Sequence, residues 1–464
     1  MDTTNTKSFL DSLEDETGED SNNRLLNTDK LIITEEFKNA YDLISNTNEN
    51  VFITGDAGSG KSTFLQYLYK NLRKNKKIVF LSPTGVAANN MVLMGIPSQT
   101  IHSFFKFPPK PLTIDKIPEV KPEDLPKFQN IDTIVIDEIS MVRSDVLNAI
   151  DVFLKYNLSS RLPFAGKQIV MVGDLCQLPP VVGTPAEKEM IAHLFGSEFF
   201  FDAEVLKHTH YHKIRFTRAF RQNDENFIAI LNRMKYGRTT LEDLDFINKN
   251  CNDGVLFDQV PIICTTNKMV DMINSKLLVS NPNPIFKFVA EIEGEFDKKN
   301  CLLDEIIEVK KGSIIMMLTN NRDQKWVNGS TAEFLDYDYD TKTAKLRLHH
   351  SNEVIGVQRM TIENSKYNYN KQEKKMEENC VGKITQFGFC LSYARSIHKS
   401  QSMTYEKMNI HSGSGFFMHG LSYVAFSRCK SLEGIKIYQP LQRRDIIIDK
   451  RIITFLENNN LKDQ

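Results

Sequence analysis

The sequence has no long uninterrupted apolar run, which excludes a membrane-spanning helix of the usual ~20 residues. It has almost no net charge either, because 58 Lys and Arg stand against 59 Asp and Glu. Any surface for a polyanion must therefore be local, since the global field supplies no attraction. The seven cysteines (Cys176, Cys251, Cys264, Cys301, Cys380, Cys390, Cys429) contain no C-x-x-C pair. An odd, scattered set reads as reduced core thiols in a cytosolic or nuclear compartment and argues against structural zinc. The N-terminus is acidic and polar, which excludes a secretory signal and argues against a mitochondrial presequence. No internal repeat is evident. What is left is an ordinary globular composition in a chain of 464 residues, too long for one core and suited to two to four domains.

The most informative stretch is Val51 to Thr63, where four residues of high β-propensity run into Gly55-x-x-x-x-Gly60-Lys61-Ser62. Phe64, Leu65, Leu68 and Leu72 then fall on one helical face. Strand, glycine loop and helix in that order form a phosphate cradle. Gly55, Gly58 and Gly60 let the backbone curl so that successive N–H groups point at phosphate oxygens. The helix N-terminus adds its partial positive charge. Lys61 can reach the β- and γ-phosphates, and the Ser62 hydroxyl can sit on Mg²⁺. The chain is thus expected to bind a nucleoside triphosphate. A second apolar run, Ile131 to Glu138, stops on two carboxylates. Asp137 would hold Mg²⁺ and Glu138 would polarise the attacking water, although two such acids alone often only cap a helix. A third strand, from Gln168, ends at Gly173-Asp174; Gln177 beyond it could sense the γ-phosphate or lie in a simple strand–turn.

Elsewhere residues 1 to about 28 form a polar acidic tail with the composition of a solvated segment. Leu31 to Ile44 has helical spacing with Thr34 as N-cap. Ile78 to Ser82 is a strand leading into Pro83-Thr84-Gly85, a turn at a strand's carboxyl end. The prolines between Pro108 and Pro126 exclude any long regular element and indicate an inserted subdomain or loop. A helix capped at Asn223 or Asp224 should end by Gly237. Runs from Gly312 to Tyr339 and Ala344 to Gln358, with Asn328-Gly329 turn chemistry, suggest a small β domain. Glu363 to Cys380 reads as an exposed loop or helix, and the Arg73/Lys74/Lys76/Lys77 cluster as a solvated helix end.

In order along the chain stand Gly55-Asp-Ala-Gly-Ser-Gly-Lys-Ser62, Ser82-Pro-Thr-Gly-Val-Ala-Ala88, Thr100-Ile-His-Ser-Phe104, Val135-Ile-Asp-Glu138, Val172-Gly-Asp-Leu-Cys-Gln-Leu-Pro-Pro-Val181, Phe220-Arg-Gln-Asn-Asp224, Val327-Asn-Gly-Ser330, Ser396-Ile-His-Lys-Ser-Gln401 and Tyr423-Val-Ala-Phe-Ser-Arg428. With these segments the chain resembles the superfamily 1 DNA helicases of the petite-integration-frequency (Pif-type) family, over roughly Leu31 to Tyr438.

The resemblance implies an α/β fold with two RecA-like P-loop domains. The first would occupy 31–205, with a wedge inserted at about 106–128. The second would occupy 206–311 and 385–464, with an SH3-like β domain inserted at 312–384; residues 1–30 would be the acidic tail. It implies ATP and Mg²⁺ as cofactors and 5′ to 3′ movement on single-stranded DNA. Partners would be single-stranded DNA and forked or tailed duplex. The expected state is a monomer without a membrane, in the cytoplasm (nucleoid-associated) of a bacterial or viral system or in a nucleus, with roles in repair, recombination or telomere maintenance.

Carried over by motif, the nucleotide would meet Gly55, Asp56, Ala57, Gly58, Ser59, Gly60, Lys61, Ser62, Thr63 and Gln401. Lys61, Glu138, Gln177, Arg221 and Arg428 would act in hydrolysis, the two arginines coming from the second domain as finger candidates, with Ser62 and Asp137 on the metal. Single-stranded DNA would meet Pro83, Thr84, Thr100, His102 and Phe104, then His398, Lys399 and Ser400. The chain departs from the family pattern at Phe37, where an adenine-reading glutamine is usual, at Ser402 in place of a glycine, and at Leu421-Ser422 in place of a glutamine. Alternatives that the sequence leaves open are a translocase or RNA–DNA remodeller with little unwinding, and a non-motor P-loop switch.

Overall fold

Tyr211 to Phe216 pairs in parallel with the strand that leads into the glycine loop, although more than 150 residues of chain separate them. The computed structural model describes residues 32–464 except 73–75, 109–111, 113–116, 219, 221–223, 259, 295–302, 320, 322–324, 327–329, 350, 371–374, 402 and 462–464. The acidic tail, Arg221, the Asn328-Gly329 turn and Ser402 therefore lie outside the described residues. The described chain divides into two compact units, one of residues 32–245, 416–431 and 442–461, the other of 246–415 and 432–441.

The first unit opens with α1 (Glu35–Asn46), capped as expected by Thr34, whose Oγ1 accepts from the Phe37 N–H at 3.3 Å. Then come β1 (Asn50–Gly55), α2 (Lys61–Leu72), β2 (Ile78–Ser82), α3 (Gly85–Leu93), β3 (Ser98–Thr100), α4 (Ile101–Phe105), α5 (Leu125–Gln129), β4 (Thr133–Ile136), α6 (Ser144–Asn157), β5 (Gln168–Gly173), β6 (Tyr211–Phe216) and α7 (Glu225–Lys235). The strands form one sheet in the order β3-β2-β4-β5-β1-β6, every neighbouring pair parallel. The near-continuous burial of the four inner strands β1, β2, β4 and β5 is what a parallel sheet covered on both faces requires. Phe37, Ala40 and Ile44 of α1 pack with Phe64, Leu65 and Leu68 of α2 over Val51, Ile53 and Val172. Asp224 caps α7 through the Asn226 and Phe227 N–H groups, and Gly237 beyond its end has φ of 67°, the left-handed conformation expected of a stop.

The contacts do not divide the chain at the expected boundary of about 206. β6 completes the first sheet on β1, and residues 416–431 and 442–461 also pack in the loop's unit. The proline-rich stretch contains, among its described residues, only the short α5. Its backbone is pinned from α6, with the Leu112 N–H on Asp145 Oδ2 at 2.8 Å and the Val120 N–H on Asn157 Oδ1 at 2.7 Å. Lys76 is not merely solvated. Its ammonium donates to the Ile44 and Thr47 carbonyls at 2.8 and 2.6 Å, tying the end of α1 to the turn before β2.

The second unit contains a four-stranded parallel sheet of β7 (Ile262–Cys264), β18 (Ala394–Ser396), β19 (Met408–His411) and β20 (Ile435–Ile437), in the order β18-β7-β19-β20. Helix α8 (Asn267–Ser280) follows β7. Between these parts lie β8 (Ile285–Val289) paired with β10 (Ile306–Lys310), and an antiparallel sheet of β11 (Ser313–Met317), β12 (Thr331–Asp338), β13 (Thr343–Leu348), β14 (Val354–Val357) and β17 (Phe389–Leu391). Phe288, Ile315, Phe334, Leu346 and Phe387 form their common core. The expectation of a loop or helix at 363–380 is overturned. β15 (Arg359–Asn370) and β16 (Lys375–Phe387) form a long antiparallel ribbon that continues onto β9 (Glu291–Gly294). Cross-strand backbone pairing, which polar composition does not reveal, defines it.

Candidate functional site

Because the sheet is parallel and β4, β5 and β1 are neighbours, Asp137, Gly173-Asp174 and the loop after Gly55 leave adjacent carboxyl ends of one sheet edge. Gly58 and Gly60 take φ of 82° and 88°, so the curl expected of the loop is present. A Cβ at Gly55 would lie 2.5 Å from Ser59 Oγ and 2.7 Å from the Phe216 carbonyl oxygen, so the loop closes against the end of β6 only without a side chain there. The Phe220 N–H donates to the Gly58 carbonyl at 2.9 Å and holds the loop from the other side.

Lys61 folds into this curl, its ammonium donating to the Gly55 and Asp56 carbonyls at 2.7 and 2.9 Å. Desolvation lowers its pKa, against the opposing pull of Asp174, Glu138, Asp56 and Asp137. Four carboxylates therefore converge on one cation. The Asp137 carboxyl is raised above the ordinary range, first by burial and then by the charge of Glu138. Glu138 itself sits at φ 50° and ψ 44°, left-handed for a non-glycine residue, and turns the chain sharply off β4 into the short Ile139–Met141 turn. Gly173 lets β5 approach that turn, because a Cβ there would be 3.0 Å from the Ile139 nitrogen.

Gln177 is buried and donates from Nε2 to Asp174 Oδ2 at 3.1 Å. The same oxygen accepts the Tyr423 hydroxyl at 3.1 Å, and that hydroxyl accepts the Ala57 N–H of the loop at 3.1 Å. The chain of bonds runs from the loop backbone through Tyr423 and Asp174 to Gln177. Tyr423 opens the segment that ends in Arg428, so its place is readable in the sequence, but its role as the link is not. Gly420, at φ 71°, presses on the same turn; a Cβ there would meet the Cys176 and Gln177 carbonyls at 2.4 and 2.5 Å. By its contacts Arg428 falls in the same compact unit as the loop. It is buried, with Nε donating to the Val424 carbonyl and one terminal nitrogen to Ser427 Oγ, both at 3.0 Å.

Lys235 at the end of α7 was not foreseen. Its ammonium is buried and pairs with Asp56, which Arg215 also approaches at 3.7 Å. Burial works against the ammonium, yet Asp56 and the neighbouring Cys176, Tyr236 and Asp174 hold its pKa above the ordinary lysine value. A lysine ending an amphipathic helix carries no local signal of such a partner. We expect Lys235→Met to destabilise the fold by about 3 kcal/mol, because it removes the ammonium in direct contact with a partly enclosed carboxylate and leaves only the more distant Arg215 beside it; urea unfolding against wild type measures this.

Residues expected on a nucleic-acid strand are spread over both units. Thr84 and Thr100 use their hydroxyls as helix caps, accepting from the Ala87 and Ser103 N–H groups at 3.2 Å each. Pro83 and His102 are half-buried. Phe104 corrects an expectation. Its ring is enclosed between Phe105 and Phe128, with the Lys127 ammonium 4.1 Å above it, and offers no stacking face. In the second unit Lys399 is exposed and His398 half-buried, whereas Ser400 is buried and its hydroxyl donates to the Ser396 carbonyl at 3.0 Å, so its side chain faces the interior. Gln401 is buried, and its Nε2 has no hydrogen-bond partner among the described residues. Phe37, where the resemblance leads to the expectation of an adenine-reading glutamine, is a core ring packed on Phe64, Tyr67 and Phe216.

His419 is buried with both ring nitrogens engaged, Nε2 on the Leu175 carbonyl at 3.1 Å and Nδ1 accepting the Asp449 N–H at 2.9 Å. Burial lowers its pKa below the ordinary histidine value, and burial also lowers those of His102, His349, His398 and His411. Their neutral forms are native, so the unfolded chain takes up protons first as pH falls. Stability should therefore be full above the unfolded histidine value of about 6.5 and decline steadily below it. Urea midpoints at pH 7.5 and 5.5 test the sign, and a midpoint that rose on acidification would contradict it.

The family model described as "PIF1-like helicase" matches residues 32–245. The ATP-dependent DNA helicase Pif1 of Bdellovibrio bacteriovorus is 27% identical over 93% of this chain and 93% of its own. A solved structure, "Structural Basis for DNA Unwinding at Forked dsDNA by two coordinating Pif1 helicases", is 33% identical, with a TM-score of 0.70 over 93% of this chain and 98% of that one. Pif1 from Bacteroides sp in complex with ADP-AlF4 is 32% identical, with a TM-score of 0.78 over the same shares.

Proposed function

The chain belongs to the PIF1-like helicases, and from that membership we propose that it is an ATP-dependent DNA helicase that moves 5′ to 3′ along single-stranded DNA and separates the duplex ahead of it. The observation that carries the reading is the convergence at one sheet edge of the glycine curl, the Lys61 ammonium and the carboxylates of Asp137, Glu138 and Asp174. Residues 55–63 bind the triphosphate, and Lys61 offsets its charge. Glu138 takes the proton of the attacking water, and Gln177 senses the phosphate state through Asp174. Arg221 and Arg428 are the candidates to complete charge neutralisation.

The donors at the metal position are the Ser62 hydroxyl and the Asp137 carboxylate, an all-oxygen set of the kind Mg²⁺ takes. The ion when bound would neutralise charge on the β- and γ-phosphates. Asp137, already costly to ionise where it lies, is the carboxylate that a cation would help most.

The parallel sheet β18-β7-β19-β20 supports a second RecA-like domain, and the antiparallel sheet β14-β13-β12-β11-β17 supports an inserted SH3-like domain. The stretch 106–128 is our candidate wedge. Pro83, Thr84, Thr100, His102, His398 and Lys399 are the proposed strand contacts, with Phe104 and Ser400 supporting them from within.

ATP turnover should rise strongly when oligo-dT is added, and no stimulation would remove the motor reading. Partial duplexes with a 5′ single-stranded overhang should be unwound in preference to those with a 3′ overhang. The dependence of the unwinding rate on enzyme concentration distinguishes one acting copy from two.

A further inference from the structure

A cluster at the opposite end of the first sheet has no part in nucleotide chemistry. β1 and β6 run in register with Asn50 opposite Tyr211. One step back along both strands sets Glu49 beside His210, and His212 returns to the same face by the two-residue period. The carboxylate and the two imidazoles bring one ligand atom each to within 4.8 Å of one another. The two rings stand 5.0 Å apart, and His212 Nε2 already meets a Glu49 carboxylate oxygen. Glu49 and His210 are exposed and His212 is partly so, which leaves the cluster open to an ion without unfolding. An exposed His–Glu pair alone contributes little to stability. A second imidazole on the same side turns the pair into a donor set.

We propose that Glu49, His210 and His212 form a surface site for a divalent transition ion of the zinc class, with water completing the coordination. Two neutral imidazoles and a carboxylate are donors that Zn²⁺ takes, whereas Mg²⁺ prefers oxygen alone. β1 is 6 residues long, so the cluster lies roughly 20 Å from the glycine loop at ~3.3 Å per residue, and the two ions need not compete. Clamping β6 to β1 also favours the folded state over the unfolded one.

The test uses the full chain in a non-chelating buffer with excess Mg²⁺, titrated with Zn²⁺ by calorimetry and with Co²⁺ by absorbance. His208 supplies the control. It lies two residues before His210 but is exposed and paired with Glu204 at 3.1 Å, away from the cluster. We expect one equivalent to bind and affinity to fall by at least about tenfold in His210→Ala and in His212→Ala. His208→Ala should bind as wild type, and the Co²⁺ spectrum should show no thiolate charge-transfer band. DNA-stimulated ATPase of all three variants, measured without zinc, should match wild type and shows that they are folded. Absence of stoichiometric binding, equal loss in His208→Ala, retention in both cluster variants, or a thiolate band would each overturn the site.

Discussion

Lys61→Ala is expected to lower ATP turnover by on the order of 10³, the scale set by removing one preorganised charge donor from a reacting centre. The loss follows from what the ammonium faces. Asp174, Glu138, Asp56 and Asp137 all bear on it, and without it Asp174, Glu138 and Asp137 would meet a triphosphate with no lysine in the curl to offset the charge. Nucleotide binding should weaken along with turnover, because charge repulsion acts in the ground state too. The fold should survive, since the lost bonds go to the Gly55 and Asp56 carbonyls at the rim of the loop. Lys61→Arg should rescue little, because a planar guanidinium does not fit a curl shaped around a point charge. Steady-state ATPase with saturating oligo-dT measures both variants. Turnover of Lys61→Ala within tenfold of wild type would falsify the assignment of this loop.

What could be read in advance depended on how local the determinant is. The curl at Gly58 and Gly60, the Thr34 cap and the strands ending at Gly55, Asp137 and Gly173 are written in neighbouring residues and appear as expected. β6 alternates charged and apolar residues, and nothing within it says that it will pair with β1. The ribbon Arg359–Phe387 hides in a polar composition because its order comes from cross-strand backbone bonds. Lys235 and Tyr423 matter through partners 179 and 366 residues away. Phe104 illustrates the opposite error. Its motif points at a ligand, but its position on α4 turns the ring into an aromatic core with Phe105 and Phe128.

Those long-range links bear on Glu138. Glu138→Gln should leave ATP binding at or above the wild-type level and reduce hydrolysis by about 10²–10⁴, the usual range for a general base. The substitution is nearly isosteric, so the left-handed turn at φ 50° and the close packing of Gly173 on Ile139 remain. Only the proton acceptor and one negative charge are lost. That lost charge also relieves Asp137, whose raised pKa owes its second contribution to Glu138, so Asp137 should ionise more readily in the variant. A metal-holding carboxylate beside a silenced base predicts a trapped complex. Single-turnover measurements should show ATP bound stoichiometrically, hydrolysed slowly, and still holding single-stranded DNA. Asp137→Asn should behave differently, losing nucleotide affinity as well as rate, because it removes a metal donor. If Glu138→Gln instead weakens ATP binding in proportion to its loss of rate, Glu138 serves binding, and the base must be sought among the other groups on this edge, with Asp174 first.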